Sequence, residues 1–234
     1  MHAVNLIPLN PARLDAVIVD LDGTMVDTLG DFNEAINRML RELALPPIGA
    51  GQIEHMVGKG SEHLLRSVLK HVLALDGKAL NAIESEAGAH YPQAWASEFA
   101  AVYAGGEAGL KALRERGLRL ACLTNKPTAF ALPLLKAKGL GTYFDHVFGG
   151  DAFERKKPDP LPLLKTCEAL GTAPARTLML GDSSNDAQAA RAAGCPVVLV
   201  TYGYNHGAPV RGVDADGFVD SLAELTELVT LPRQ

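Results

Sequence analysis

Four short stretches of the chain are almost wholly apolar, and each runs into polar residues at its end: "AVIVD" (16–20), "LRLACLTN" (118–125), "TLMLGD" (177–182) and "PVVLVTYG" (196–203). Their apolar positions are continuous rather than alternating, the pattern of strands covered on both faces in a parallel sheet. Between them lie helical patterns. In "GEAGLKALRERG" Leu110 and Leu113 share a face and Gly117 suits a C-terminal cap, while "DAQAARAAG" closes in the same way on Gly194. Strands alternating with helices predict an α/β fold with a parallel sheet.

Residues 30–100 break this alternation. They hold no convincing strand but three helical patterns. "DFNEAINRMLREL" puts Phe32, Ile36, Met39, Leu40 and Leu43 on one face, and "SEHLLRSVLKHVLAL" does so with Leu64, Leu65, Val68, Leu69 and Val72. The third, "KALNAIESEAGAHYPQAWASEF", is less regular, with a kink expected at Pro92. In it Tyr91, Trp95 and Phe99 recur at helical spacing and read as core. The expected organisation is a core of residues 1–29 and 101–234, interrupted by a helical insertion, 30–100, with a small core of its own. The C-terminal "SLAELTELV" reads as an amphipathic helix.

In open α/β sheets ligands bind beyond the carboxyl ends of the strands. Asp20, Asp22, Thr124, Asn125, Asp182 and Asp186 are all expected there. Helix capping accounts for one of these carboxylates. It does not account for four, which repel one another and need a counter-charge. With oxygen donors only and neither His nor Cys in the set, the expected ion is Mg²⁺. Lys157, directly before Pro158 in "ERKKPDPLPLLK", where Pro158 and Pro160 hold the backbone in a defined path, is a second cation that can be aimed at the cluster, whereas Lys156 reads as a surface charge. In "LTNKP" the Thr124 hydroxyl and nearby backbone N–H groups suit phosphate oxygens.

Composition narrows the partners. The 234 residues are 47% hydrophobic and 21% charged, as in ordinary globular proteins, and the net charge of −5 leaves no basic footprint for nucleic acid. Cys122, Cys167 and Cys195 are too few and scattered for a disulfide framework or a zinc site. No apolar run reaches membrane-spanning length, and the first residues lack a basic leader and carry Pro8 and Pro11, so a cytoplasmic protein without a membrane or nucleic-acid partner is expected.

Taken in order, "DLDGTMVDT", "LTNK", "KKPDP" and "GDSSND" resemble the four motifs of the haloacid dehalogenase-like hydrolase superfamily. The resemblance implies a Rossmann-like parallel-sheet core with a helical cap domain inserted after the first strand. It also implies roles. Asp20 would be the nucleophile, and Asp22 the acid that protonates the leaving alcohol and then activates water. Asp20, the backbone carbonyl of Asp22, and Asp182 would hold Mg²⁺, with Asp186 assisting, while Thr124 and Lys157 hold the phosphoryl oxygens. The superfamily's dehalogenases lack the acid, because halide leaves without a proton; Asp22 therefore points to an oxygen leaving group. "TYGYNHG" (201–207) and the layout further resemble bacterial phosphoglycolate phosphatases, so the expected substrate is 2-phosphoglycolate, a small phosphorylated metabolite, turned over by a monomer or homodimer. Other metabolite phosphatases, a phosphomutase and a non-catalytic sensor are the alternatives. In "MVGKGSEHLL" (56–65) Lys59, between two glycines, is the expected contact to the leaving group, with Ser61 starting the next helix. His55, His63 and His71 match no metal spacing, and His206 is left without a role.

Overall fold

The computed structural model describes residues 14–73, 83–85, 87–88 and 98–228. Pro92, Tyr91, Trp95 and the first residues of the chain, on which several expectations fell, lie outside that set. The elements are β1 (Ala16–Val19), β2 (Val26–Asp27), α1 (Leu29–Glu42), α2 (Ala50–Glu54), α3 (Ser61–Leu73), β3 (Ala101–Val102) and α4 (Gly106–Glu115). There follow β4 (Arg119–Leu123), α5 (Thr128–Ala137), β5 (His146–Phe148), α6 (Leu161–Leu170), β6 (Thr177–Gly181), α7 (Ser184–Ala193), β7 (Val197–Val200), β8 (Gly217–Val219) and α8 (Leu222–Leu228).

Six strands form one sheet in the order β5-β4-β1-β6-β7-β8, and every pairing is parallel. β1 is central: Val19 stands opposite Cys122 of β4 and Leu180 of β6. The three strands therefore end almost level, and Asp20, Thr124 and Asp182 emerge side by side.

The continuous apolar runs are explained by the two faces. Val17, Val19, Leu120 and Leu180 pack on one side with Leu110, Leu113, Leu134 and Leu222. Ile18, Ala121, Met179 and Leu199 pack on the other with Leu163, Ala187 and Ala190. A third cluster belongs to α1–α3: Phe32, Ile36, Met39, Leu40, Ile53, Leu64, Val68 and Leu69 bury one another, and Tyr204 joins them from the segment after β7. The chain leaves the sheet through β2 and returns through β3, and these two short strands pair antiparallel.

Several elements differ from the sequence reading. β5 and β8 have three residues each, too short to stand out from turns. Phe99, expected in a core, is 58% exposed; its Cβ packs against Gly30 and its N–H donates to Asp31 Oδ1 at 2.8 Å. His55, His63 and His71 are exposed, as expected of surface residues.

Candidate active site

The site starts where β1 and β6 run out. Asp20, Asp182 and Asp186 bring one carboxylate oxygen each within 4.8 Å of one another. Asp20 Oδ1 accepts from the Leu21 N–H at 2.7 Å and lies 3.1 Å from the Lys157 ammonium. Asp182 Oδ2 accepts from the Tyr204 N–H at 2.6 Å. Asp186 stands in the first turn of α7, where its Oδ2 accepts from the N–H and hydroxyl of Ser183 at 3.1 and 2.9 Å, and its Oδ1 takes the Lys157 ammonium at 2.7 Å. This is a capping box, so one residue both starts a helix and supplies charge to the site. Backbone packs against these carboxylates closely enough to exclude side chains: a Cβ on Gly203 would stand 2.2 Å from that of Asp182.

Lys157 is buried and donates its third contact to the Leu123 carbonyl at 2.9 Å. Burial works against its charge, but Asp186 and Asp20 outweigh that and hold it protonated. The carboxylates are less well served. Burial raises Asp20 from 3.8 to about 7; Lys157 opposes the rise, and Asp186 adds to it. Asp182 is raised for the same reasons, burial first and then Asp186 and Asp20. One ammonium thus faces three buried carboxylates, and the imbalance is what a divalent cation would remove. The donor set, all oxygen, fits Mg²⁺.

Asp22 turns elsewhere. Its Oδ1 accepts from the Thr28 hydroxyl at 2.8 Å and from the Lys126 ammonium at 3.0 Å. Lys126 is buried, with its ammonium 4.5 Å from the centre of the Phe32 ring. Burial lowers its pKa, and Asp22 resists that. The Thr124 hydroxyl accepts from the Lys126 N–H at 3.1 Å and opens onto the same cavity. Asn125 is structural as well as cavity-lining: its amide donates to the Lys157 carbonyl at 2.8 Å and to the Gly58 carbonyl at 2.9 Å, and its Oδ1 accepts from the Lys157 N–H at 3.0 Å.

The cavity is walled on the sheet side by Asp20, Asp22, Thr124, Lys126 and Asp182, and on the helical side by Phe32, Val57, Gly58, Gly60, Ser61 and Leu64. Gly58 and Gly60 adopt φ of +105° and +90°, which folds this loop flat over the sheet residues. The Gly58 carbonyl also accepts from Asn185 at 3.1 Å, and the same Asn185 amide faces His206 Nε2 at 3.1 Å.

Seven of the eight residues singled out from sequence meet at this sheet edge. Lys59 does not: it is exposed and does not line the cavity, whereas both neighbouring glycines do. Lys126, Thr28, Asn185 and Tyr204 were not foreseen. Lys126 had a signal, since it follows Thr124 by two residues in a loop already assigned to the site.

A family model described as haloacid dehalogenase-like hydrolase matches residues 14–194. The phosphoglycolate phosphatase of Thiobacillus denitrificans is 43% identical over 226 residues, covering 94% of this chain and 97% of that protein. The phosphoglycolate phosphatase of Nitrosospira multiformis is 45% identical over 222 residues, with the same coverage of each. Among solved structures, that of a predicted phosphoglycolate phosphatase from Haemophilus somnus superposes with a TM-score of 0.85 at 30% identity, over 93% of this chain and 98% of the other.

Proposed function

The chain belongs to the haloacid dehalogenase-like hydrolase family, and we propose that it hydrolyses 2-phosphoglycolate to glycolate and inorganic phosphate through a phosphorylated Asp20. It is a phosphoric monoester hydrolase, like its relatives. The observation that carries the mechanism is the pairing of two carboxylates with different partners: Asp20 among buried charges, and Asp22 held apart by Thr28 and Lys126.

Asp20 attacks phosphorus with one carboxylate oxygen while the ester P–O bond breaks. Lys157 offsets the repulsion between that carboxylate and the phosphate dianion, and the Thr124 hydroxyl holds a phosphoryl oxygen. Asp22 gives its proton to the departing oxygen, so glycolate leaves as the alcohol. Water then attacks the phosphorus of the acyl phosphate, Asp22 takes its proton, and the bond to Asp20 breaks to release phosphate. Asp20, Asp182 and the Asp22 backbone carbonyl would hold Mg²⁺, with Asp186 behind them; the ion supplies positive charge at the phosphoryl group.

Residues 30–100 would act as the cap that closes over this site and excludes water. No described helix is long and apolar enough to cross a membrane. We assign the enzyme to the cytoplasm, working as a monomer or homodimer on a small phosphorylated metabolite.

The test is phosphate release from a panel of 2-phosphoglycolate, hexose phosphates, nucleotides and pyrophosphate, with and without Mg²⁺, for the wild type and Asp20→Asn. Turnover led by 2-phosphoglycolate and lost in either absence supports the reading. A different leading substrate would move the specificity and keep the mechanism. No release from any of them would remove both.

A further inference from the structure

We propose that Lys126 is the specificity-determining cation of this enzyme, and that it binds an anionic group carried by the leaving alcohol one carbon from the ester oxygen. This rests on the phosphatase reading above and goes further, because it names the part of the site that reads the leaving group.

The phosphoryl group has its own partners in Lys157 and Thr124. The leaving oxygen must lie against Asp22, and beyond Asp22 the chemistry of the cavity changes. Phe32, Val57, Leu64 and Phe130 supply apolar wall, with Ser61 as a small polar break. Among the described residues that line the cavity, Lys126 is the one cation. A polyol would meet few partners there. A compact anion would meet a buried ammonium, which stands 3.0 Å from Asp22.

The reach is appropriate. A leaving group that contacts Asp22 through its oxygen and bears a carboxylate on the adjoining carbon brings that carboxylate next to the group already bonded to Asp22. Lys126 is also fixed from several sides. It is buried, its backbone N–H is tied to Thr124, and its ammonium stands 4.5 Å from the Phe32 ring centre. A cation prepared in this way need not be ordered on binding. Lys59, the residue expected from sequence, is exposed and outside the cavity wall, and so cannot be desolvated by the substrate in the same way.

The proposal is tested with p-nitrophenyl phosphate as reporter and with glycolate, its neutral isostere glycolamide, and inorganic phosphate as competitors. In the wild type glycolate should inhibit at least about 10-fold more strongly than glycolamide. In Lys126→Met glycolate inhibition should weaken by about 100-fold, the loss expected for an unpaired buried charge, while phosphate inhibition stays within about 3-fold. Lys126→Arg should recover part of the difference. Thr28→Val, which removes the other contact to Asp22, should slow turnover of alkyl phosphates without changing the glycolate constant.

Equal inhibition by glycolate and glycolamide in the wild type would overturn the proposal, and this comparison needs no variant to fold. Unchanged glycolate inhibition in Lys126→Met would overturn it too. A wild type that leaves p-nitrophenyl phosphate intact would instead strike at the phosphatase reading beneath it.

Discussion

Lys157 carries the charge balance of the site, since among the described residues it alone pairs with both Asp20 and Asp186, at 3.1 and 2.7 Å. Replacing it with Met leaves buried carboxylates without a counter-charge. The expected cost is about 3–5 kcal/mol in urea denaturation of the metal-free protein, with part of it recovered when Mg²⁺ is added. A related expectation concerns pH. The Asp20 pKa rises on folding from 3.8 to about 7, chiefly through burial, so between those values the native state binds more protons than the unfolded chain. Stability of the metal-free protein should therefore fall as pH rises through that window. Calorimetry should show Mg²⁺ raising Tm more at about pH 8 than at about pH 5, because only the ionised cluster gains from the ion; an equal shift at both would contradict the assignment. Asp20, Asp22, Asp182 and Lys157 were legible in sequence because each stands at or just past the end of an apolar run or directly before a proline. For Lys126 the one local signal was its place two residues after Thr124; its environment is made by Thr28 and Phe32, far away in the chain, and no local pattern announces that meeting.

At the scale of elements, the link between sheet and helices is a tyrosine. The Tyr204 hydroxyl accepts from the N–H groups of Thr28 and Leu29 at 2.9 and 3.1 Å and donates to Asp27 at 2.5 Å, while its own N–H holds Asp182. It therefore satisfies the start of α1, which has no side-chain cap of its own. Tyr204→Phe should cost about 1–2 kcal/mol, seen as a fall in Tm of roughly 2–8 °C. The polar contacts on Gly58 define a second link. Asn185→Ala removes one of them and should raise KM by about 2- to 12-fold, the worth of a neutral hydrogen bond, while burst kinetics still show phosphoenzyme forming. Of the elements themselves, the four long apolar strands and helices α1 and α3 followed their sequence periodicity. β2 and β3 escaped it, since two-residue strands have no period to read, and α5 carries Pro133 within it, which argues against a helix locally.

The described residues form three apolar clusters, two on the faces of the sheet and one among α1–α3. The layout was legible because the switch from continuous apolar runs to helical spacing marks where the chain leaves the sheet. The net charge of −5 gives the opposite sign from that needed to attract a phosphate dianion. The cations of the site, Lys126 and Lys157, are local and buried. Raising ionic strength from about 0.01 to about 0.15 M should thus increase kcat/KM slightly, up to about 2-fold, rather than depress it; a steep fall would show attraction by a surface field instead. One carbonyl gathers these parts. Gly58 O is met by Asn125, adjoining Thr124, and by Asn185, adjoining Asp186. Asn125 comes from the segment after β4 and Asn185 from the first turn of α7, and these hold opposite halves of the site. The loop over the cavity can make both bonds only when both halves are in position, so its seat works as a conjunction: one carbonyl registers the phosphate side and the acidic side together.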